Sequence, residues 1–341
     1  MVCIKLKFRL LTILAAAFLY SINLQAQQAN ANRIDLSGTW QCRLDSARLG
    51  LQNLWYLEKI NQYKCQLPGT TNENRLGNAT VPLEQLVARK TLEIRPDYEY
   101  EGLVWYQREI EVPEHWDNKQ ITLFLERCSW ETGLWVDSAF VASQFSLVAP
   151  HVYNITDYLQ PGRKHMITLT VDNSVNKRPS VFMPEASRDH INFRGLQMAG
   201  TTQTNWNGII GRLEIMAHEP VWIEKMRTFP AVETGTVKVE VSINNTSGRE
   251  MEAELVLSSQ LKNAGTSDEA SGKWKLQLKN GSSKHVAELK LDKPLLWDEF
   301  EPHLYQLEAL LKSLSNEHPH IDRKTTVFGM REIGTKGTQF I

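Results

Sequence analysis

Gly-Leu-Val-Trp-Tyr-Gln-Arg-Glu at 102–109, Leu-Trp-Val-Asp-Ser at 134–138, Asn-Ile-Thr-Asp-Tyr-Leu-Gln-Pro-Gly at 154–162 and Leu-Thr-Val-Asp-Asn-Ser at 169–174 fall within one stretch of short alternating segments, 98–174. Val104, Tyr106, Arg108, Ile110 and Val112 alternate with Trp105, Gln107, Glu109 and Glu111, the period of a strand. Pro113 ends that strand because it has no N–H to give the ladder. Residues 120–128 set Ile121, Leu123 and Leu125 against Thr122, Phe124 and Glu126, and His165, Ile167, Leu169 and Val171 share a face further on. Asp137-Ser138 is a two-residue turn between alternating segments, which predicts a hairpin. Many short strands without helical periodicity predict an all-β sandwich or jelly roll.

Outward from this stretch the pattern continues. Trp40, Cys42 and Leu44 alternate with Gln41, Arg43 and Asp45, a half-buried strand. Residues 49–63 suit an irregular excursion or a short helix, and Leu67-Pro-Gly-Thr-Thr71 a turn. Residues 174–208, with Pro179, Pro184, Gly195 and Gly200, are less regular, and loops of such length usually carry function or motion. A closing strand over 212–216 and Ala217-His-Glu-Pro220 place a boundary, so a first domain is expected over 33–217 and a second over 220–332. In the second, Val237, Val239, Val241 and Ile243 alternate with Thr236, Lys238, Glu240 and Ser242 before the turn Asn244-Asn245-Thr-Ser-Gly248. Strands near 251–257, 273–278 and 285–291 follow, a spacing that suits an immunoglobulin-like sandwich.

With 341 residues the chain exceeds one small domain. A formal net charge of -1 gives no electrostatic footprint for nucleic acid or an anionic membrane, and suits a neutral ligand such as a sugar. Lys5, Lys7 and Arg9 before an apolar run over 10–19 resemble an export signal, with cleavage expected after Ala26 and the pair Ala29 and Ala31 as the alternative. The run is short for a membrane span, so the expectation is a periplasmic or secreted protein, with an uncleaved anchor as the alternative. Cys42, Cys65 and Cys128 remain after such cleavage, an odd number without metal-type spacing. A Cys42–Cys65 bridge and buried free thiols both stay open.

The quoted segments, with Leu-Ser-Gly-Thr-Trp at 36–40, Leu-Pro-Gly at 67–69, Pro-Leu-Leu-Trp at 294–297, Pro-His-Leu-Tyr at 302–305 and Val-Phe-Gly-Met-Arg-Glu at 327–332, resemble family 2 glycoside hydrolases, the group of β-galactosidase, β-glucuronidase and β-mannosidase. The resemblance implies a galactose-binding-like jelly-roll sugar-binding domain followed by an immunoglobulin-like sandwich. It implies further that 333–341 begin a linker toward a catalytic (β/α)₈ barrel. A barrel needs roughly 250 residues, and no such pattern follows in this sequence. The expectation is therefore the non-catalytic N-terminal part of a retaining β-glycosidase acting on a terminal β-glycoside, inactive by itself. The alternative is a stand-alone carbohydrate-binding module, and a structural role with self-association into a homo-oligomer is a third reading.

Retaining glycosidases use two carboxyl groups about 5–5.5 Å apart, and the resemblance implies two barrel glutamates, one following an asparagine. Asn72-Glu73 and Asn316-Glu317 are such pairs, but both lie in polar turn segments outside any barrel pattern, so no catalytic residue is assigned. There is no Gly-x-Ser-x-Gly, no His-Glu-x-x-His and no glycine-rich phosphate loop; no cofactor or metal is expected, and His318 and His320 around Pro319 form at most a weak metal pair. The candidate substrate-binding residues are Asn205, Trp206 and Asn207 in the loop before Gly208, a ring face between two amides. The competing reading has Trp206 plugging the sandwich end while the asparagines make turns. The second candidate is the segment Asp97 to Glu101, with Asp97 and Glu99 as its named residues, where the resemblance implies substrate approach; the competing reading is a solvated acidic loop.

Overall fold

The computed structural model describes residues 32–80, 96–174, 205–263, 269–314 and 321–340. The expected export signal, Asn316-Glu317, His318 and His320 lie outside the described residues. The chain forms two compact units that divide between Ala217 and His218. Among the described residues the regular structure is strand with short 3₁₀ turns and no α-helix. No helix among them is long and apolar enough to cross a membrane.

The first unit contains β1 (Arg33–Asp35), β2 (Gly38–Asp45), β3 (Tyr63–Leu67), β4 (Gly69–Thr70), β5 (Asn78–Ala79), β6 (Tyr98–Glu99), β7 (Leu103–Glu111), β8 (Gln120–Cys128), β9 (Glu131–Val136), β10 (Ala139–Phe145), β11 (His151–Asn154), β12 (Lys164–Asp172) and β13 (Gly208–His218). They build a five-stranded sheet, β1-β13-β8-β11 with β4 beside β13, a six-stranded sheet, β10-β9-β12-β7-β2-β3, and a two-stranded pair, β5-β6. The alternation in β8 buries Ile121, Leu123 and Leu125 as expected, against Trp40, Tyr106, Tyr153, Ile167 and Leu169. Burying a side chain of this size is worth about 1.5–3 kcal/mol over leaving it exposed.

One end of β7 departs from simple alternation, because Leu103 through Gln107 are buried on both faces. The excursion between β2 and β3, which carries the short 3₁₀ helix Trp55–Leu57, is the reason. Trp55 and Ile60 pack on Leu103, Trp105 and Trp135, forming a second small core on the outer face. Gln107 ties the excursion down, donating to Glu58 O at 3.0 Å and accepting from Ile60 N at 2.9 Å. The Asp137-Ser138 turn joins β9 and β10 as expected, with Asp137 at φ 52°. Its carboxylate accepts from Met166 N and meets His165 Nδ1, both at 2.8 Å, which gives aspartate a use at this turn. Cys42, Cys65 and Cys128 are buried free thiols, so no Cys42–Cys65 bridge is present.

The second unit contains β14 (Val221–Ala231), β15 (Thr236–Asn245), β16 (Met251–Leu261), β17 (Glu269–Leu278), β18 (Gly281–Lys290), β19 (Tyr305–Ser313), β20 (Asp322–Phe328), β21 (Thr335–Lys336) and β22 (Gln339–Phe340). A three-stranded sheet, β14-β15-β18, and a four-stranded sheet, β17-β16-β19-β20, share one apolar core. Val237, Val239, Val241 and Ile243 of β15 all face that core, as the period-two pattern predicts. Asn245 closes the following turn by accepting from Ser247 N at 3.1 Å and Ser247 Oγ at 2.6 Å. Both units are sandwich-type arrangements of antiparallel sheets.

Candidate functional site

One wall of the candidate site is the turn after β4. Thr70-x-x-Glu73 forms a reciprocal box: Glu73 Oε2 accepts from Thr70 N at 2.7 Å and Oγ1 at 3.0 Å, while Glu73 N donates to Thr70 Oγ1 at 3.2 Å. This is the bonding of a helix capping box used to close an isolated turn. Asn74 locks the turn to β3, accepting from Gln66 N at 2.6 Å and donating to Gln66 O at 3.0 Å. Asn72 reaches the other way, its Oδ1 accepting from Tyr98 N at 2.9 Å and so fixing β6.

Another wall is Asn205 and Trp206, held by Asn173 just past β12. Asn173, fully buried, accepts from Gly102 N at 2.9 Å through Oδ1 and donates from Nδ2 to Tyr100 O at 2.9 Å and Trp206 O at 3.3 Å. Asn207, also fully buried, donates from Nδ2 to Gly102 O at 2.8 Å and to Asn173 Oδ1 at 3.1 Å. Asn205 Nδ2 donates to Asn173 O at 3.1 Å. Thr71 N donates to Asn207 O at 2.8 Å, and β4 pairs with the start of β13 through Gly208 opposite Thr70, so the two walls are stitched together. Gly208 adopts φ 145° with Gly69 O against its Cα, where a Cβ would collide.

Charged groups support this floor from below. Asp172 is buried and pairs with Arg48 at 2.6 Å, and the same Nη1 donates to Ser174 Oγ at 3.3 Å. Tyr100 OH accepts from Asp45 N and donates to Leu103 O, each at 2.9 Å; burial pushes its phenol well above the ordinary range, so it acts as a neutral bridge.

Between the walls lies a cleft of about 380 Å³ lined by Thr70, Thr71, Asn72, Glu73, Pro96, Tyr98, Asn205, Trp206 and Ile210. The structure therefore brings two of the expected residues, Asn205 and Trp206, to one cleft, and both are half-buried. Asn207 lies beneath it, with its amide nitrogen committed to the floor. Asp97 and Glu99 are exposed and do not line it; Tyr98 between them does, because neighbours on a strand face opposite ways. Sequence reasoning weighed Asn72-Glu73 only as a catalytic pair and took in Tyr98 only as part of the segment 97–101; it did not single out Thr70 or the supporting Asn173. The Thr70-x-x-Glu73 spacing was a readable signal for the turn, whereas nothing local marks Asn173 beyond a polar pair ending an apolar strand.

Two aromatic residues, Trp206 and Tyr98, line the cleft together with Thr and Asn side chains, so it combines apolar ring surface with polar groups. Among the described lining residues Glu73 is the one formally charged group, so the cleft holds no carboxylate pair there. A larger cleft of about 470 Å³ lies on the four-stranded sheet of the second unit, lined by serine, glutamine, glutamate and alanine. It has no aromatic face, and we regard the smaller cleft as the better candidate. No cluster of three or more His, Cys, Asp or Glu side chains able to hold a metal occurs among the described residues.

Comparison with known proteins agrees with this architecture. Residues 34–199 match the model of the glycosyl hydrolases family 2 sugar binding domain, and residues 221–331 match that of glycosyl hydrolases family 2. A β-glucuronidase of Paenibacillus borealis is 23% identical over 313 residues, covering 90% of this chain and 46% of that protein. A β-galactosidase of Thermoanaerobacter pseudethanolicus is 23% identical over 238 residues, covering 69% of this chain and 29% of that protein. The structure of Bacteroides uniformis β-glucuronidase 2 covalently bound to cyclophellitol-6-carboxylate aziridine superposes with a TM-score of 0.66 at 18% identity, over 91% of this chain and 34% of the other. The chain spans less than half the length of these relatives. Two successive family matches over consecutive β units, in the order the sequence motifs led one to expect, place this chain in glycosyl hydrolases family 2.

Proposed function

We propose that this chain is the non-catalytic N-terminal portion of an exported, retaining β-glycosidase: a jelly-roll sugar-binding domain and an immunoglobulin-like sandwich that support and line a sugar site. The carrying observation is the cleft that Trp206, Asn205 and Tyr98 line together with the Thr70–Glu73 turn. Its volume, about 380 Å³, suits a small ligand such as one or two sugar rings. Trp206 offers a stacking face for the C–H side of a pyranose, and the threonine and asparagine groups offer partners for its hydroxyls. The similarity to proteins named β-glucuronidase and β-galactosidase supports a β-glycoside as ligand and leaves uronides and neutral hexosides as the two classes to separate. Hydrolysis with retention requires a second, suitably spaced carboxyl group, which the described cleft lining does not supply, so the chain by itself binds without turnover.

Titration of the full chain with methyl β-glycosides, followed by heteronuclear NMR of the Trp206 indole N–H, tests the reading. A saturable shift that Trp206→Leu removes, with no release of aryl alcohol from aryl β-glycosides, is the expected result. Perturbations that map to the second unit instead, or turnover by the purified chain, would overturn it.

A further inference from the structure

We infer that the cleft selects uncharged glycosides over uronides and that Glu73 is the residue that sets this choice; the inference rests on the sugar-binding reading of the cleft proposed above. Glu73 is the one formally charged group among the described lining residues, the others being Thr, Asn, Pro, Tyr, Trp and Ile. Its carboxylate is held in place rather than free to rotate away. Oε2 accepts from Thr70 N at 2.7 Å and from Thr70 Oγ1 at 3.0 Å, and Glu73 N returns a bond to the same hydroxyl. Thr70 is itself fixed by β4 pairing with β13. A negative charge therefore stands at a set position on the cleft wall.

That arrangement treats the two ligand classes differently. The hydroxyls of a neutral sugar are donors, and a fixed carboxylate is a strong acceptor for them, because hydrogen bonds to an ionised acceptor are about twice as strong as neutral ones. A uronide carries a carboxylate where the hexoside carries a hydroxymethyl group. Two like charges in one small cleft repel, and no cationic side chain among the described lining residues offsets the repulsion. Rejection by a fixed like charge is a specificity element that needs no clash in shape. Glu73 is exposed, so the repulsion acts through a water-like medium and salt screens it.

The test compares methyl β-glucopyranoside with methyl β-glucopyranosiduronate, two ligands that differ in charge at one carbon, binding to the full chain by NMR titration. At low ionic strength the uronide is expected to bind about fivefold more weakly, the size of a unit-charge repulsion across a few ångströms in a high dielectric. Glu73→Gln keeps an acceptor for Thr70 N and removes the charge, so it should bring the two affinities together, as should raising the salt on the wild-type protein. A uronide that binds as tightly as the hexoside, or a preference that E73Q and salt leave intact, would refute the assignment of selectivity to Glu73 while leaving the sugar cleft standing. Absence of any cleft perturbation by either sugar would refute the sugar-binding reading and this inference with it.

Discussion

Replacing Asn173 by Ala removes one small side chain, yet the structure makes it one of the more costly changes available in the first unit. Among the described residues its amide meets Gly102 N at 2.9 Å, Tyr100 O at 2.9 Å, Trp206 O at 3.3 Å and the Asn207 amide at 3.1 Å. Each buried polar group left without a partner costs about 1–3 kcal/mol. The bond to Trp206 O is long, and a water can enter the vacated space, so the four terms do not add in full. We expect a loss of about 3–5 kcal/mol, a large share of the 5–15 kcal/mol that typically separates folded from unfolded states. Denaturant unfolding followed by tryptophan emission suits the measurement. Trp40, Trp55, Trp105, Trp116, Trp130, Trp135 and Trp206 belong to this unit, against Trp222, Trp274 and Trp297 in the other. The transition of the first unit should move to lower denaturant with little change in slope. Asn173→Asp keeps the acceptor for Gly102 N but loses both donors to carbonyls, and should also destabilise. A loss below about 1 kcal/mol for Asn173→Ala would show that the asparagine does not hold the floor together.

Arg48→Met leaves the buried Asp172 carboxylate without its cation and should cost about 3–5 kcal/mol, part of which adding Asp172→Asn restores; thermal unfolding of the single and double variants checks this. The first unit should also lose stability on acidification through His151. Burial holds its pKa below the usual 6.5, with the Ser146 carbonyl opposing, while the ring meets Thr132 Oγ1 at 2.5 Å through Nδ1. The unfolded chain takes up this proton more readily than the folded one. The contribution is therefore complete above about pH 6.5 and diminishes as pH falls from there toward the lowered folded value. Denaturation midpoints between about pH 5 and 7 should show that slope, and His151→Gln should flatten it.

Much of the fold was legible because strand alternation is a local property. β7, β8, β12 and β15 fall where period-two reading places them, and the Asp137 turn joins the strands it was expected to join. What covers each face of a strand is not local. Nothing within 103–107 announces that residues 46–62 fold back over Trp105 and Gln107 and give that sheet a second apolar layer. The site shows the same division. Asn205 and Trp206 were accessible as an aromatic between amides, but Asn207 carries an identical side chain and is turned into the floor. In the segment 97–101 the carboxylates draw attention in the sequence, whereas the residue of that segment that lines the cleft is Tyr98. Glu73 was weighed as half of an Asn-Glu pair, whereas its partner in space is Thr70.

The buried asparagines explain why this cleft can be rigid at a sandwich end, where the ladders stop. Beyond the last ladder bond, backbone groups such as Gly102 N, Gly102 O and Tyr100 O would be buried without partners. Asn173 and Asn207 carry amides that stand in for missing strand neighbours, accepting from one group and donating to the next. Because Trp206 O and Asn205 are bound into the same network, hydrogen bonds from buried amides anchor the backbone that carries the ring. Preorganisation of this kind lowers the ordering cost of binding and would strengthen the proposed sugar contact without adding one. The two roles separate by substitution. Trp206→Leu removes the stacking face while leaving the network in place, and should weaken sugar binding at little cost in stability. Asn173→Ala keeps the indole and loosens its setting, and should diminish both.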